Sequence, residues 1–222
     1  MKTWTVDDVM TMAVVSVPET AAYRELVDLL IGRHFSAVPV VDGRHRVTGV
    51  VSEADLLRKI EYAGDEEPRL FEGRRRRGER AKARAATAAE LMSSPPVVAV
   101  SGTPVAKAAR IMDAEQVKRL PVVDDFGRLV GIVTRSDLLK VHLRPDDDIR
   151  ADVLAVLGAA FPAATVRAEV ERGVVTLRGQ VDRLSTATAA ARLARRVDGV
   201  VEVADAIAYT YDDTAVTVYG IA

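Results

Sequence analysis

The sequence predicts an α+β protein with α/β character: two tandem helix–strand–strand–helix repeats packed as one module, then a small αββαβ domain. Three observations lead there. The first is a duplication in which Val38-Pro39-Val40-Val41-Asp42 and Gly49-Val50-Val51-Ser52-Glu53-Ala54-Asp55-Leu56-Leu57 return 82 residues on as Leu120-Pro121-Val122-Val123-Asp124 and Gly131-Ile132-Val133-Thr134-Arg135-Ser136-Asp137-Leu138-Leu139. Over the gapless block 38–59 against 120–141, 10 of 22 positions are identical. The second is composition: 49% hydrophobic and 28% charged residues describe a chain able to bury real cores. The third is a change of pattern at Pro145-Asp146-Asp147-Asp148, after which helix-like and strand-like periods alternate afresh.

Each repeat opens with a helix, for which Thr20 or Thr103 is the expected N-cap. Leu26, Val27, Leu29 and Leu30, or Ala108, Ala109, Ile111 and Met112, form its apolar stripe. A strand over Val38–Val41 or Leu120–Val123 follows, then turn residues Asp42-Gly43 or Asp124-Asp125-Phe126-Gly127, then a strand over Val47–Val51 or Leu129–Val133. Ser52 or Thr134 leads into a second helix carrying Leu56-Leu57 or Leu138-Leu139. Between the repeats, Arg69–Arg84 holds eight basic residues against two acidic ones, and the spacing predicts a linker that becomes helical over Glu79–Glu90. Beyond Pro145, Asp148 is the expected cap of a helix presenting Ile149, Val153, Leu154, Leu157 and Phe161 on one face. Val166, Ala168 and Val170, then Val175 and Leu177, alternate with polar residues about a turn at Arg172-Gly173. Ser185 is expected to cap a helix through Val197, Asp198-Gly199 to break it, and Val200–Tyr209 to form the last strand. The divisions read from this are 1–60, a linker at 61–88, 89–145, a domain at 146–213 and a tail at 214–222.

Composition also excludes. A net charge of −1 exerts no global pull on nucleic acid, so no specific nucleic-acid partner is expected. Cysteine is absent, which removes disulfides and thiolate metal sites. Met1–Asp8 lacks an apolar segment of the secretory kind, and the apolar run Val153–Ala164 is interrupted by Gly158 and Pro162 and too short to cross a bilayer, so a soluble, cytoplasmic protein is expected. His34, His45 and His142 have no metal-like spacing, and neither a Ser-His-Asp set nor a phosphate loop occurs. No metal, no required cofactor and no enzyme activity are expected.

The paired pattern, apolar-Pro-Val-Val-Asp and then Gly-apolar-apolar-Ser/Thr-x-x-Asp-Leu-Leu, resembles the cystathionine-β-synthase-type (CBS) domain, and two in tandem resemble a Bateman module. Residues Gly173-Val174-Val175-Thr176-Leu177-Arg178-Gly179-Gln180-Val181, with Gly199-Val200 and Val203, are similar to the signature of a BON domain. The resemblance implies a regulatory protein, of the stress-response kind, that binds an adenosine ligand: AMP, ADP or ATP, with S-adenosylmethionine or a cyclic dinucleotide as alternatives. A carboxylate in the first turn of a helix accepts from both vicinal ribose hydroxyls, so Asp137 and Asp55 are the candidate ribose ligands, with the hydroxyls of Thr134 and Ser52 beside them. The matching adenine walls are Val97, Val98 and Pro121 in the second copy and Val14, Val15 and Pro39 in the first. Lys118, Arg119 and Arg135 add three cations to the second copy, where the first has His34 and Glu53. The second copy therefore reads as the better nucleotide site; the alternative is that Asp55 and Asp137 merely cap helices.

The resemblance further implies a homodimer formed through the paired module and an unknown protein or phospholipid partner for the BON domain. The leading functional expectation is a sensor whose nucleotide ligand modulates the BON domain. The alternative is an interaction protein in which the BON domain and Arg74–Arg77 contact a membrane surface or macromolecule while the pair only dimerises.

Overall fold

The computed structural model describes residues 3–62, 82 and 84–214. The first repeat contains α1 (Val6–Val9), β1 (Val17–Pro18), α2 (Tyr23–Arg33), β2 (Ala37–Val41), β3 (Val47–Ser52) and α3 (Glu53–Glu61). The second matches it with α4 (Ala88–Leu91), β4 (Ala99–Val100), α5 (Val105–Ala114), β5 (Arg119–Val123), β6 (Leu129–Thr134) and α6 (Arg135–Leu138). Each set of strands forms its own three-stranded sheet, ordered β1-β2-β3 and β4-β5-β6, the first strand parallel to the second and the second antiparallel to the third. The duplication extends to register, since Val40 faces Gly49 as Val122 faces Gly131, with a bulge one residue later in both. All five residues of β2 are buried, as its unbroken apolar run requires. The turns repeat as well. Asp42 accepts from the backbone N–H of Arg44 and Arg46, and Asp124 from those of Phe126 and Arg128.

The two repeats exchange their leading segments. Although α1 comes first in the chain, Val6 N donates to Thr103 O at 2.8 Å, Asp7 Oδ2 accepts from Gly102 N at 2.7 Å, and Thr11 and Ile132 trade backbone hydrogen bonds. Conversely Ala88 N donates to Ala21 O, Tyr23 N to Ala86 O, and Ser93 trades bonds with Val50. Ala85, Ala88 and Leu91 thus complete the core built on Leu26, Leu30, Val38, Val40 and Val51 of the first repeat. Glycines at two sites permit the crossing. A Cβ on Gly49 would lie 2.3 Å from Met92 Sδ, and one on Gly131 would lie 2.2 Å from Met10 Sδ.

Several expected caps differ. Ala22 and Pro104, not Thr20 and Thr103, occupy the N-cap positions of α2 and α5. Thr103 Oγ1 donates instead to Val100 O at 2.6 Å, closing the turn before the helix. The helix expected over Glu79–Glu90 is also interrupted within its described part: Lys82 and Arg84 are helical, Ala85 and Ala86 are not, and Thr87 starts α4 afresh. Glu90 explains the break, because its Oε2 accepts from the N–H groups of Ala86 and Thr87 and so caps a new helix. Arg74–Arg77 lie outside the described residues.

Contacts divide the chain into two compact units, Thr5–Arg135 and a second formed by the described residues of Met1–Trp4 and Ser136–Ala222. In the second, a 3₁₀ turn (Leu139–Leu143) leads to α7 (Asp146–Ala160), β7 (Thr165–Glu171), β8 (Val174–Arg183), α8 (Leu184–Ala194) and β9 (Glu202–Tyr211). The sheet order is β7-β8-β9, with β7 and β8 antiparallel and β9 parallel to β8. Ile149, Val153 and Leu157 of α7 and the alanine face of α8 (Ala187, Ala190, Ala191, Ala194) pack with Val175 and Leu177 in one core. Arg172 and Gly173 take φ of 52° and 77°, the pair of left-handed residues that a tight hairpin demands.

Here too the caps shift. Helix α7 starts at Asp146 behind Pro145, leaving Asp148 in its first turn, while Asp146 accepts from Arg172 N and Gly173 N of the hairpin. Leu154 is 42% exposed and stands off the buried face. Arg183 rather than Ser185 is the N-cap of α8, and Ser185 donates through N and Oγ to Asp213. The helix stops at Ala194, three residues early, and β9 is displaced by two residues, starting at Glu202 instead of Val200 and ending at Tyr211 instead of Tyr209. Trp4 joins this unit through its N–H to Asp198 Oδ2 at 2.8 Å, beneath the guanidinium of Arg144.

Candidate functional site

The site begins where β3 runs into α3. Ser52 has extended backbone and caps the helix, and Asp55 at the third helical position returns the bond: Asp55 Oδ2 accepts from Ser52 N at 2.9 Å and from Ser52 Oγ at 2.6 Å. This reciprocal box holds the carboxylate at one orientation. Asp55 is buried at 9% exposure, and its other oxygen, Oδ1, accepts from Lys82 Nζ at 2.5 Å. A buried carboxylate with a fixed orientation is the local structure a hydroxyl-bearing ligand needs.

Around it lies a cavity of about 320 Å³, a size at the lower end of small-molecule sites. Its apolar surface comes from Ala37, Val50, Pro95, Pro96 and Val97, and its charges from Glu53, Asp55, Lys118 and Arg119. The exchange of leading segments builds it, because the Val50–Ser93 pairing carries Pro95–Val97 of the second repeat onto the strand that ends at Ser52. Arg119 is anchored in the same direction: its Nη1 donates to Ala37 O at 3.0 Å and its Nη2 donates to Ser36 Oγ, both in the first repeat. Lys118 is exposed at the rim. The arrangement offers an apolar slot for a flat ring, a fixed acceptor for hydroxyls, and two cations for an anion.

This geometry redistributes the residues that the sequence pairs within one copy. Val97, Lys118 and Arg119 stand with Ser52 and Asp55 of the first repeat. Val98 is half-buried just before β4. Pro39 and Pro121 sit buried in mid-strand opposite Val50 and Ile132, and neither is among the residues lining the cavity. Val14 and Val15 lie in the segment before β1, half-buried and 36% exposed respectively. Thr134 ends β6 opposite Arg119, and Arg135 is exposed with Nη2 donating to Val117 O at 3.1 Å. Asp137 belongs to the second compact unit, where Lys140 Nζ approaches its Oδ1 at 2.7 Å. Lys82, Ser36 and Pro95 escaped the sequence reading: Lys82 is one of many linker cations, and the other two lie outside the repeated motif.

Among the described residues no group of histidine, aspartate and glutamate side chains is placed to hold a metal ion. No helix among them is long and apolar enough to cross a membrane.

Comparison with known proteins agrees with this architecture. The model of the CBS domain matches residues 6–62 and 88–144, and that of the BON domain matches 145–211. A CBS domain-containing protein of Dictyostelium discoideum is 36% identical over 107 residues, covering 48% of this chain and 69% of that one. CBSX1 of Arabidopsis thaliana is 30% identical over 138 residues, 58% of either chain. A homoserine O-acetyltransferase of Methanocorpusculum labreanum is 29% identical over 134 residues, but the chain spans only 23% of its length. Among solved structures, CBSX2 in complex with AMP is 30% identical, with a TM-score of 0.56 over 63% of this chain and 97% of that one.

Proposed function

This chain belongs to the CBS-domain family, with a BON domain behind its repeat pair, and from that premise we propose that it is a regulatory sensor of adenosine nucleotides rather than an enzyme. The observation that carries this reading is the Asp55 cavity. Its fixed carboxylate accepts the two ribose hydroxyls, the Val97 and Val50 surfaces take the adenine, and Lys118 and Arg119 face the phosphate. A 30% identical protein solved with AMP supports an adenosine ligand, and the two rim cations favour AMP, ADP or ATP over an uncharged nucleoside.

In this reading Ser52 orients Asp55, and Asp55 with Lys118 and Arg119 forms the polar half of the site. Asp137, the corresponding carboxylate of the second repeat, serves a second, weaker position. Occupancy alters how the BON domain meets a protein or phospholipid partner, an effect limited to the ligand's differential affinity for two states. Two copies pair through helices of the CBS unit, where Ile31 of α2 and Leu57 and Ile60 of α3 stand 70%, 56% and 71% exposed. The test is a thermal-shift series with adenosine, AMP, ADP, ATP, S-adenosylmethionine and a cyclic dinucleotide. At 100 times its dissociation constant a ligand adds about 2.7 kcal/mol to stability, and a flat response to all six rejects the sensor.

A further inference from the structure

The cavity carboxylate already has a cationic occupant from outside both repeats. Lys82 Nζ lies 2.5 Å from Asp55 Oδ1 and 3.1 Å from Ser93 Oγ, so it touches two side chains that line the cavity. The pair is largely withdrawn from water, the lysine side chain being 23% and the aspartate 12% exposed. The other carboxylate oxygen, Oδ2, is taken by Ser52 N and Ser52 Oγ. A carboxylate offers about four acceptor sites and three are taken by Ser52 N, Ser52 Oγ and Lys82 Nζ, so a diol that places both hydroxyls on Asp55 must displace one donor, and Lys82 is the one that lies outside the helix cap. A lysine suits displacement, since its ammonium is a point charge on a flexible stem with no fixed fork to dismantle.

We propose that Lys82 is an internal competitor for the nucleoside site: it holds Asp55 when the cavity is unoccupied, and a vicinal diol displaces it. The proposal rests on the nucleoside reading above. Because linkage is reciprocal, whatever holds Lys82 away from Asp55 tightens ligand binding, and whatever stabilises the pair weakens it. The uncharged nucleoside reports this most cleanly, since for AMP the lost lysine also removes an attraction for phosphate.

The experiment compares the full chain with Lys82→Met by calorimetry on adenosine and 2′-deoxyadenosine, with Asp55→Ala as control. Removing a partly buried competitor of this kind tightens adenosine binding about 5-fold, and 2′-deoxyadenosine, which offers a single ring hydroxyl, gains less. A second measurement uses the unsubstituted protein. Trypsin must take the Lys82 side chain into its own pocket to cut between Lys82 and Ala83, so saturating adenosine is expected to speed that cut, followed by mass spectrometry. Equal or weaker adenosine binding by Lys82→Met, or a cleavage rate unmoved by adenosine, overturns the competitor while Asp55→Ala still reports on the nucleoside site. Absence of binding by every variant, the unsubstituted chain included, overturns both.

Discussion

Replacing Asp55 by alanine separates the two tasks the structure gives this carboxylate. As a cap it accepts from Ser52 N and Ser52 Oγ, and losing that box costs about 1 kcal/mol of stability. As a ligand group it is 12% exposed, so its hydrogen bonds to ribose hydroxyls form with little competing water. Bonds to a charged group contribute about 1.5–3 kcal/mol, which translates to a 10- to 150-fold loss of AMP affinity. Calorimetry with AMP well below the melting temperature reads the second quantity, and urea unfolding without ligand reads the first. Asp55→Asn sharpens the comparison by keeping an oxygen for the cap while removing the charge: stability should recover more than affinity does. Asp137→Ala should cost less affinity than Asp55→Ala, because Lys118, Arg119 and Val97 line the Asp55 cavity. Affinity unchanged in Asp55→Ala refutes the site, and a larger loss in Asp137→Ala restores the asymmetry expected from the motifs.

Three further outcomes are expected. Gly179→Ala should lose about 2–4 kcal/mol in chemical denaturation, since φ at this position is 150° and a Cβ would fall 2.1 Å from the carbonyl oxygen of Thr165, which is backbone and cannot swing away. Arg144→Ala should destabilise the C-terminal unit by about 2–4 kcal/mol, because its side chain is 6% exposed and holds Asp152 and Asp198 O; the emission of Trp4, the chain's one tryptophan, should shift to the red, and an unmoved spectrum would contradict the Arg144–Trp4 contact. The backbone N–H of Arg46, then its side chain, hold the Asp42 carboxyl below its ordinary value of 3.8. A folded-state value that is depressed contributes stability present above the unfolded value and lost as pH falls through the folded one. Melting temperatures of Asp42→Asn should therefore match the unsubstituted protein more closely as pH drops through the acid range, and a gap that widens toward low pH would show the sign to be wrong.

Much of the fold was legible in the residues. Duplicated runs such as Val38–Val41 and Leu120–Val123 define the buried strands, because a strand covered on both faces must be apolar throughout. Arg172-Gly173 marks the hairpin through the left-handed backbone it needs. Caps were less legible. Thr103, Asp148 and Ser185 are good capping residues whose polar groups bond elsewhere or fall inside the first turn, and only the surrounding chain selects which residue turns the backbone into the helix. The acids at 55 and 137 and the hydroxyls before them were likewise evident, since a repeated Ser/Thr-x-x-Asp at a helix start carries its geometry locally. What the sequence could not disclose is which wall faces which acid. A local motif determines how Asp55 is held, but the exchange of leading segments depends on long-range backbone pairing, Thr11 with Ile132 and Ser93 with Val50. That pairing brings Val97, Arg119 and Lys82 toward the first repeat's carboxylate, and backbone hydrogen bonds of this kind leave no signature in side-chain identity, so tertiary structure alone decided the composition of the cavity.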